Sequence, residues 1–154
     1  MTSNIDIAFQ QDSAGFYDLS IDPTTGDLAG TEGLNTAILL SAFCERRADE
    51  ADIAQPEHRR GWVGNLVGPH ADEGFEYGSH LWLLEQVRLT QDTANRARDA
   101  LRQAFQWLID DGLVHHIGMD VEKTHDTIRA RATFVSPENV IDTSLFDLVR
   151  KTIS

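Results

Sequence analysis

Residues 113–135, LVHHIGMDVEKTHDTIRARATFV, constrain the fold more than any other stretch. Apolar and polar residues alternate there on both sides of His125-Asp126. Alternation with a period of two is the pattern of a strand that turns one face to a core. A two-residue loop at His125-Asp126 sets Thr124 opposite Thr127. The register that follows pairs Val121 with Ala130, Met119 with Ala132 and Ile117 with Phe134 on one face. It pairs Glu122 with Arg129 and Asp120 with Arg131 on the other. Opposite charges then meet at two successive outward positions, which cross-strand pairing favours. A slip of one residue would break both sets. The sequence thus predicts a hairpin with one apolar and one charged face.

An apolar sheet face needs a cover. The best candidate is QDTANRARDALRQAFQWLIDDG, with Thr90 as its N-cap. Ala94, Ala97, Leu101, Ala104 and Leu108 follow at spacings of three and four, a narrow stripe that lets another element come close. Phe105 and Ile109 widen it, and Gly112 ends the helix. A second helix is expected over LNTAILLSAFCERRADE, with Arg46 and Arg47 in its last turns, where cations suit the helix dipole. Ser79 reads as the N-cap of a shorter helix through about Arg88. In that stretch, GSHLWLL, the residues Leu81, Trp82 and Leu84 are assigned to the core. Residues 15–30 read as two short strands around the turn DPTTGD. The expected fold class is α+β: a small antiparallel or mixed sheet with a C-terminal β-hairpin, packed against two or three helices. Residues 1–137 read as a single domain and 138–154 as a C-terminal arm or short helix.

Periodicity stops between residues 51 and 77. Two Pro and several Gly lie there, yet so do Trp62, Val63, Leu66, Val67, Phe75 and Tyr77. A solvated loop would not carry those. A structureless connection of this length is uncommon in a compact domain. The segment is expected to be an ordered excursion that packs on the domain or on a neighbour.

Charge narrows the function. The chain has 154 residues and a net charge of −12, with no Lys or Arg before Arg46. Such a chain is repelled by nucleic acid and by anionic membrane surfaces. No run of 18 apolar residues suits a membrane span. The N-terminus lacks the basic and apolar regions of a signal peptide, so a soluble protein made in a cytoplasm is expected. One cysteine, Cys44, excludes an internal disulfide and a Cys-rich zinc site; it reads as a buried thiol. His115 and His116 point to opposite faces of one strand, and His125 lies about 30 Å along it at ~3.3 Å per residue. No single ion is held by that set, and His58, His70 and His80 read as surface or capping groups. No metal or cofactor is therefore expected. Nucleophile-elbow, phosphate-loop and dinucleotide-binding motifs are absent. A glycosidase needs two carboxylates across a cleft, and no acidic pair stands out. No catalytic residue is assigned.

Four stretches in order carry a likeness to a known family. They are DLSIDPTTGDLAGTEGLNTAILLSAFCERRAD, RRGWVGN, GSHLWLLEQVRLT and ALRQAFQWLIDDGLV. Together they resemble the Mu-type phage baseplate protein family, related to the wedge protein that starts the contractile sheath. The likeness covers residues 18 to about 135. The chain departs from the family pattern at Val63, Asn65 and His80, where a second Trp, an Asp and an Arg often stand. The resemblance implies a structural component of a contractile phage or phage-like tail baseplate, with no catalysis. It would link wedge proteins to the tube or hub and the first sheath ring, in several copies per baseplate. It would be assembled in the bacterial host cytoplasm and end in the virion tail. Candidate partner-binding residues are Arg46, Arg47, Trp62, Trp82, Glu122, Arg129 and Arg131. Related sheath initiators accept strands from sheath arms, which makes the hairpin 113–135 a candidate acceptor. The wider family carries an old lysozyme label, so the alternative is a tail-associated peptidoglycan glycosidase.

Overall fold

The computed structural model describes residues 5–11, 13–14, 17–27, 30–32, 34–67, 76–85, 87–137 and 140–149. The chain forms two compact units, residues 1–40 and 41–154.

The first unit holds four short strands: β1 (Ile5–Ile7), β2 (Phe9–Gln11), β3 (Tyr17–Leu19) and β4 (Gly30–Glu32). Their pairing is nested and antiparallel, β2 with β3 and β1 with β4. The first strand expected over 15–30 is β3, whereas β4 overlaps that range only at Gly30, and the two do not pair with each other. Each takes a partner from the N-terminal dozen residues instead. The turn between them is the expected one. Asp22 and Asp27 close it through their backbones at 2.9 Å, and the Asp22 carboxylate accepts from the Thr24 N–H at 2.7 Å. Helix α1 (Leu34–Phe43) begins in this unit and buries Thr36, Ile38, Ser41 and Ala42.

The second unit is built around α3 (Gln91–Asp110) and a three-stranded sheet; a four-residue helix, α2 (Gly64–Val67), lies between α1 and α3. Thr90 caps α3 in a capping box: its hydroxyl accepts from the Thr93 N–H at 3.1 Å, and the Thr93 hydroxyl accepts from the Thr90 N–H. At the other end Gly112 adopts φ +73°, and Leu113 donates back to the Leu108 carbonyl, a Schellman closure. The predicted stripe is the buried face: Ala94, Ala97, Leu101, Ala104, Phe105 and Leu108. Ile109, which was expected to widen it, is 37% exposed.

The sheet consists of β5 (His116–Lys123), β6 (Thr127–Val135) and β7 (Val140–Val149), antiparallel and in that order. All five predicted cross-strand pairs of the hairpin are present. Val121, Ile128, Ala130, Ala132 and Phe134 turn inward and are buried. Phe134 meets Phe105 of α3 edge to face at 5.0 Å, an arrangement worth about 0.5–1.5 kcal/mol beyond area burial. Residues 140–149 are a strand, so the helical option for the C-terminal stretch does not hold. Its own register slips once, at a bulge between Ala130 and Arg131 of β6.

Two helix expectations need correction. Helix α1 ends at Phe43, not near Glu50, so Arg46 and Arg47 follow the helix rather than close it. The reason is tertiary: the backbone of 44–48 is pulled out to bond two other segments. The helix expected from Ser79 to about Arg88 is a single 3-10 turn, Leu81–Leu84, preceded by His80.

Candidate partner-binding site

Three irregular segments, 44–48, 59–62 and 77–80, braid together after α1. Ser79 donates its N–H to Cys44 O at 2.9 Å, and Arg46 donates to Ser79 O at 3.0 Å. On the other side Trp62 donates to Glu45 O at 2.8 Å and Ala48 to Arg59 O at 3.1 Å. Each segment thereby satisfies backbone groups that a loop would leave to water. Gly78 makes the close approach possible. Its φ is +113°, and a Cβ there would stand 2.5 Å from the Cys44 carbonyl oxygen. Ser79 is buried and donates its hydroxyl to Ala42 O at 2.6 Å, which ties the braid to the end of α1.

Both tryptophans expected to meet a partner are half-buried inside this braid. Trp82 donates its indole N–H to Arg46 O at 2.8 Å. The Arg60 guanidinium lies over the Trp82 ring, 4.9 Å from its centroid. The same guanidinium bonds Glu45 at 2.8 Å and Glu85 at 3.4 Å. Hydrogen bonding to Glu45, more than its Coulomb field, pushes the Arg60 pKa up and keeps the cation fixed. Arg60 sits at φ +49°, a conformation that costs a non-glycine residue roughly 1–2 kcal/mol. The stacked and ion-paired side chain holds it there. Trp62 lies over Gly64 and meets Tyr77 edge to face at 6.5 Å; Tyr77 meets Trp107 at 5.2 Å. Asn65 clamps Tyr77 from both sides, its amide donating to Tyr77 O and accepting from Tyr77 N, each at 2.9 Å. The excursion is thus ordered where it is described; residues 68–75, with His70 and Phe75, lie outside the described residues. Leu66 and Val67 of α2 and Val63 just before it remain exposed.

The core assignment for 78–84 holds for Leu84, whereas Leu81 and Trp82 are half-buried. Beside them opens a cavity of about 250 Å³, lined by Ala42, Phe43, Cys44, Leu81, Trp82, Leu84, Ala97 and Ile128 among others. Glu45 and Glu85 stand at the same opening. The Cys44 thiol lines it, and burial pushes its pKa above the usual value of 9.0.

The other predicted residues form a second group. Asp120, Glu122, Arg129 and Arg131 line a small polar cavity on the outward face of the sheet. Register also sets Asp147 of β7 across from Arg129 and Ser144 across from Arg131. The seven expected residues therefore fall in two places: Arg46, Arg47, Trp62 and Trp82 in the braid, and Glu122, Arg129 and Arg131 on the sheet. Sequence reasoning missed Glu45, Arg60 and Glu85, and it gave Asn65 and Tyr77 no role in the site. The glycines at 61, 64 and 78 were the available sign that backbones meet there. Among the described residues no group of three or more His, Cys, Asp or Glu side chains is placed to hold a metal. No described helix is long and apolar enough to cross a membrane.

Comparison with known proteins gives the family. The family model described as phage protein GP46 matches residues 34–140. That range takes in α1 from its first residue, the braid, α3 and the β5–β6 hairpin. The baseplate protein gp46 of Escherichia phage Mu is 35% identical over 101 residues, 64% of this chain and 66% of the relative. The Mu-like prophage FluMu protein gp46 of Haemophilus influenzae is 33% identical over 99 residues, 60% of this chain and 64% of the relative. The chain spans just under two thirds of the length of these curated relatives. With most of its length matched by the family model, the chain belongs to the phage GP46 protein family.

Proposed function

We propose that this protein is a structural component of a contractile phage tail baseplate, located in the virion tail and bound there to other baseplate proteins. The observation that carries the reading is the family match across the braid and hairpin, together with a relative from phage Mu named as a baseplate protein. The finer reading is that it links wedge proteins to the tube and the first sheath ring.

The sheet supports a specific form of that link. The Thr124 N–H bonds Thr127 O at 2.9 Å, which makes 124/127 a hydrogen-bonded pair. By alternation, Ile117, Met119 and Val121 turn their backbone groups away from β6. Arg98 of α3 already donates to the Val121 carbonyl at 3.2 Å. The far edge of β6 is taken by the chain's own β7. The hairpin thus already holds one added strand, and the outer edge of β7 has no neighbour among the described strands. We assign that edge as the place where an arm of a partner adds by main-chain hydrogen bonding.

A scaffold also fits the carboxylates better than a hydrolase does. A general acid of a glycosidase sits in apolar surroundings that raise its pKa. Glu45 and Glu85 instead share one guanidinium, and Asp120 and Glu122 share a cavity with two. Co-expression with other baseplate proteins of the same phage or prophage, followed by size-exclusion chromatography with light scattering, tests the proposal. Co-elution at a fixed ratio is expected. A lone monomer that clears a cell-wall suspension would overturn it in favour of a peptidoglycan glycosidase.

A further inference from the structure

The sheet has two outer strands, β5 and β7, and neither has a second strand beside it among the described strands. The two edges are not alike. On the β5 side a side chain of α3 reaches the strand. The Arg98 guanidinium donates through Nη2 to the Val121 carbonyl at 3.2 Å, a group that β5 turns away from β6. Asn95, one turn earlier on the helix, accepts from Arg98 Nη1 at 3.4 Å and from Gln91 Nε2 at 3.3 Å. A line of polar contacts thus runs from the first residue of α3 to the edge of the sheet. Arg98 is half-buried, although it carries a charge.

We infer that Arg98 guards the β5 edge against strand addition and so leaves the β7 edge as the acceptor for a partner arm. A strand arriving on β5 must put an N–H where the guanidinium now stands. It must first break a charge-assisted bond and then sit beside a cation. Cationic side chains at an edge, and helices laid over one, are general means by which sheets avoid unwanted pairing. Arg98 acts through the Val121 carbonyl, so it is a positioning residue, and its role rests on the proposed strand addition at β7.

The test is sedimentation equilibrium of the full chain across its soluble concentration range. Arg98→Met keeps the apolar stem and lacks the donor. It is expected to self-associate about tenfold more tightly than the wild-type chain, the weight of one hydrogen bond to a charged group. The β7 edge is present in every variant, so association through it cancels in the comparison. Adding Met119→Pro removes an N–H that points away from β6 and should return the mass to the wild-type value. Arg98→Lys retains a donor and should behave as the wild-type chain does. Asn95→Ala, at an exposed position, frees the guanidinium and should shift the mass the same way by a smaller factor; it decides the point if Arg98→Met fails to fold. Equal association in Arg98→Met and the wild-type chain would overturn the inference. So would association that survives Met119→Pro, because the contact then lies elsewhere. Either result leaves co-elution with baseplate proteins standing. A wild-type chain that does not co-elute sinks the baseplate reading and leaves the guard to this comparison.

Discussion

At Gly78 the backbone turns through φ +113°, and a Cβ there would stand 2.5 Å from the Cys44 carbonyl oxygen. A methyl there clashes with backbone on one side and strains φ on the other. Gly78→Ala is therefore expected to cost about 2 kcal/mol or more, read as a fall in the urea midpoint. Gly26, also at positive φ but with nothing near its Cβ position, is the control and should lose about 1 kcal/mol. Trp82→Phe keeps the ring under Arg60 but leaves Arg46 O without its donor, and should cost ~1–2 kcal/mol. Cys44 offers a pH-dependent reading. Burial raises its pKa by disfavouring the thiolate. The stability tied to the protonated thiol is present below pH 9.0 and is lost as pH rises through the higher folded-state value. Alkylation at pH 8 should run slower in the native chain than in the urea-unfolded one, since the thiolate is the nucleophile. Equal rates would contradict the burial. None of these roles is visible from residue type alone. The contacts of Gly78 and Trp82 were not legible, because their partners Cys44, Arg46 and Arg60 lie 22–36 positions away.

Elements divide by whether their signal is local. The register of β5 and β6 was readable because apolar alternation, a two-residue loop and two charge pairs all demanded the same alignment. Helix α3 was readable from its cap, its stripe and its glycine. Strand β7 was not: in VIDTSLFDLV the apolar residues follow no single period, and a bulge breaks the register. Its conformation is set by the edge of β6, which no local pattern reports. The end of α1 failed for a related reason. Residues 44–48 favour helix locally, and hydrogen bonds to 59–62 and 79 override that preference. Two expectations follow. The amides of Ile128, Ala130, Ala132 and Phe134 point at β7, so removal of residues 138–154 should expose them to hydrogen exchange while the amides that β5 and β6 bond to each other, such as those of Asp120, Glu122, Arg129 and Arg131, stay protected. Arg129→Glu sets like charges opposite each other at 122/129 and should lower stability by about 1 kcal/mol. Adding Glu122→Arg should recover most of it, and a double-mutant cycle without coupling would contradict the pairing.

For the molecule as a whole, sequence sufficed for the α+β class and for the family, because both rest on long patterns in chain order. The two-unit layout and the gathering of Arg46, Trp62 and Trp82 into one braid depend on contacts that the order of residues does not display. Among the described strands the outer edge of β7 has no neighbour, and that edge is where the proposed partner arm would add. The most direct test of the baseplate role is to delete the coding segment from a complete phage or prophage and view the induced lysate by negative-stain electron microscopy. Sheathed tails should be missing, with heads or bare tubes left unassembled, and supplying the chain in trans should restore them. Morphologically complete, sheathed tails in the deletion would contradict the account and favour a role after assembly, at the cell wall.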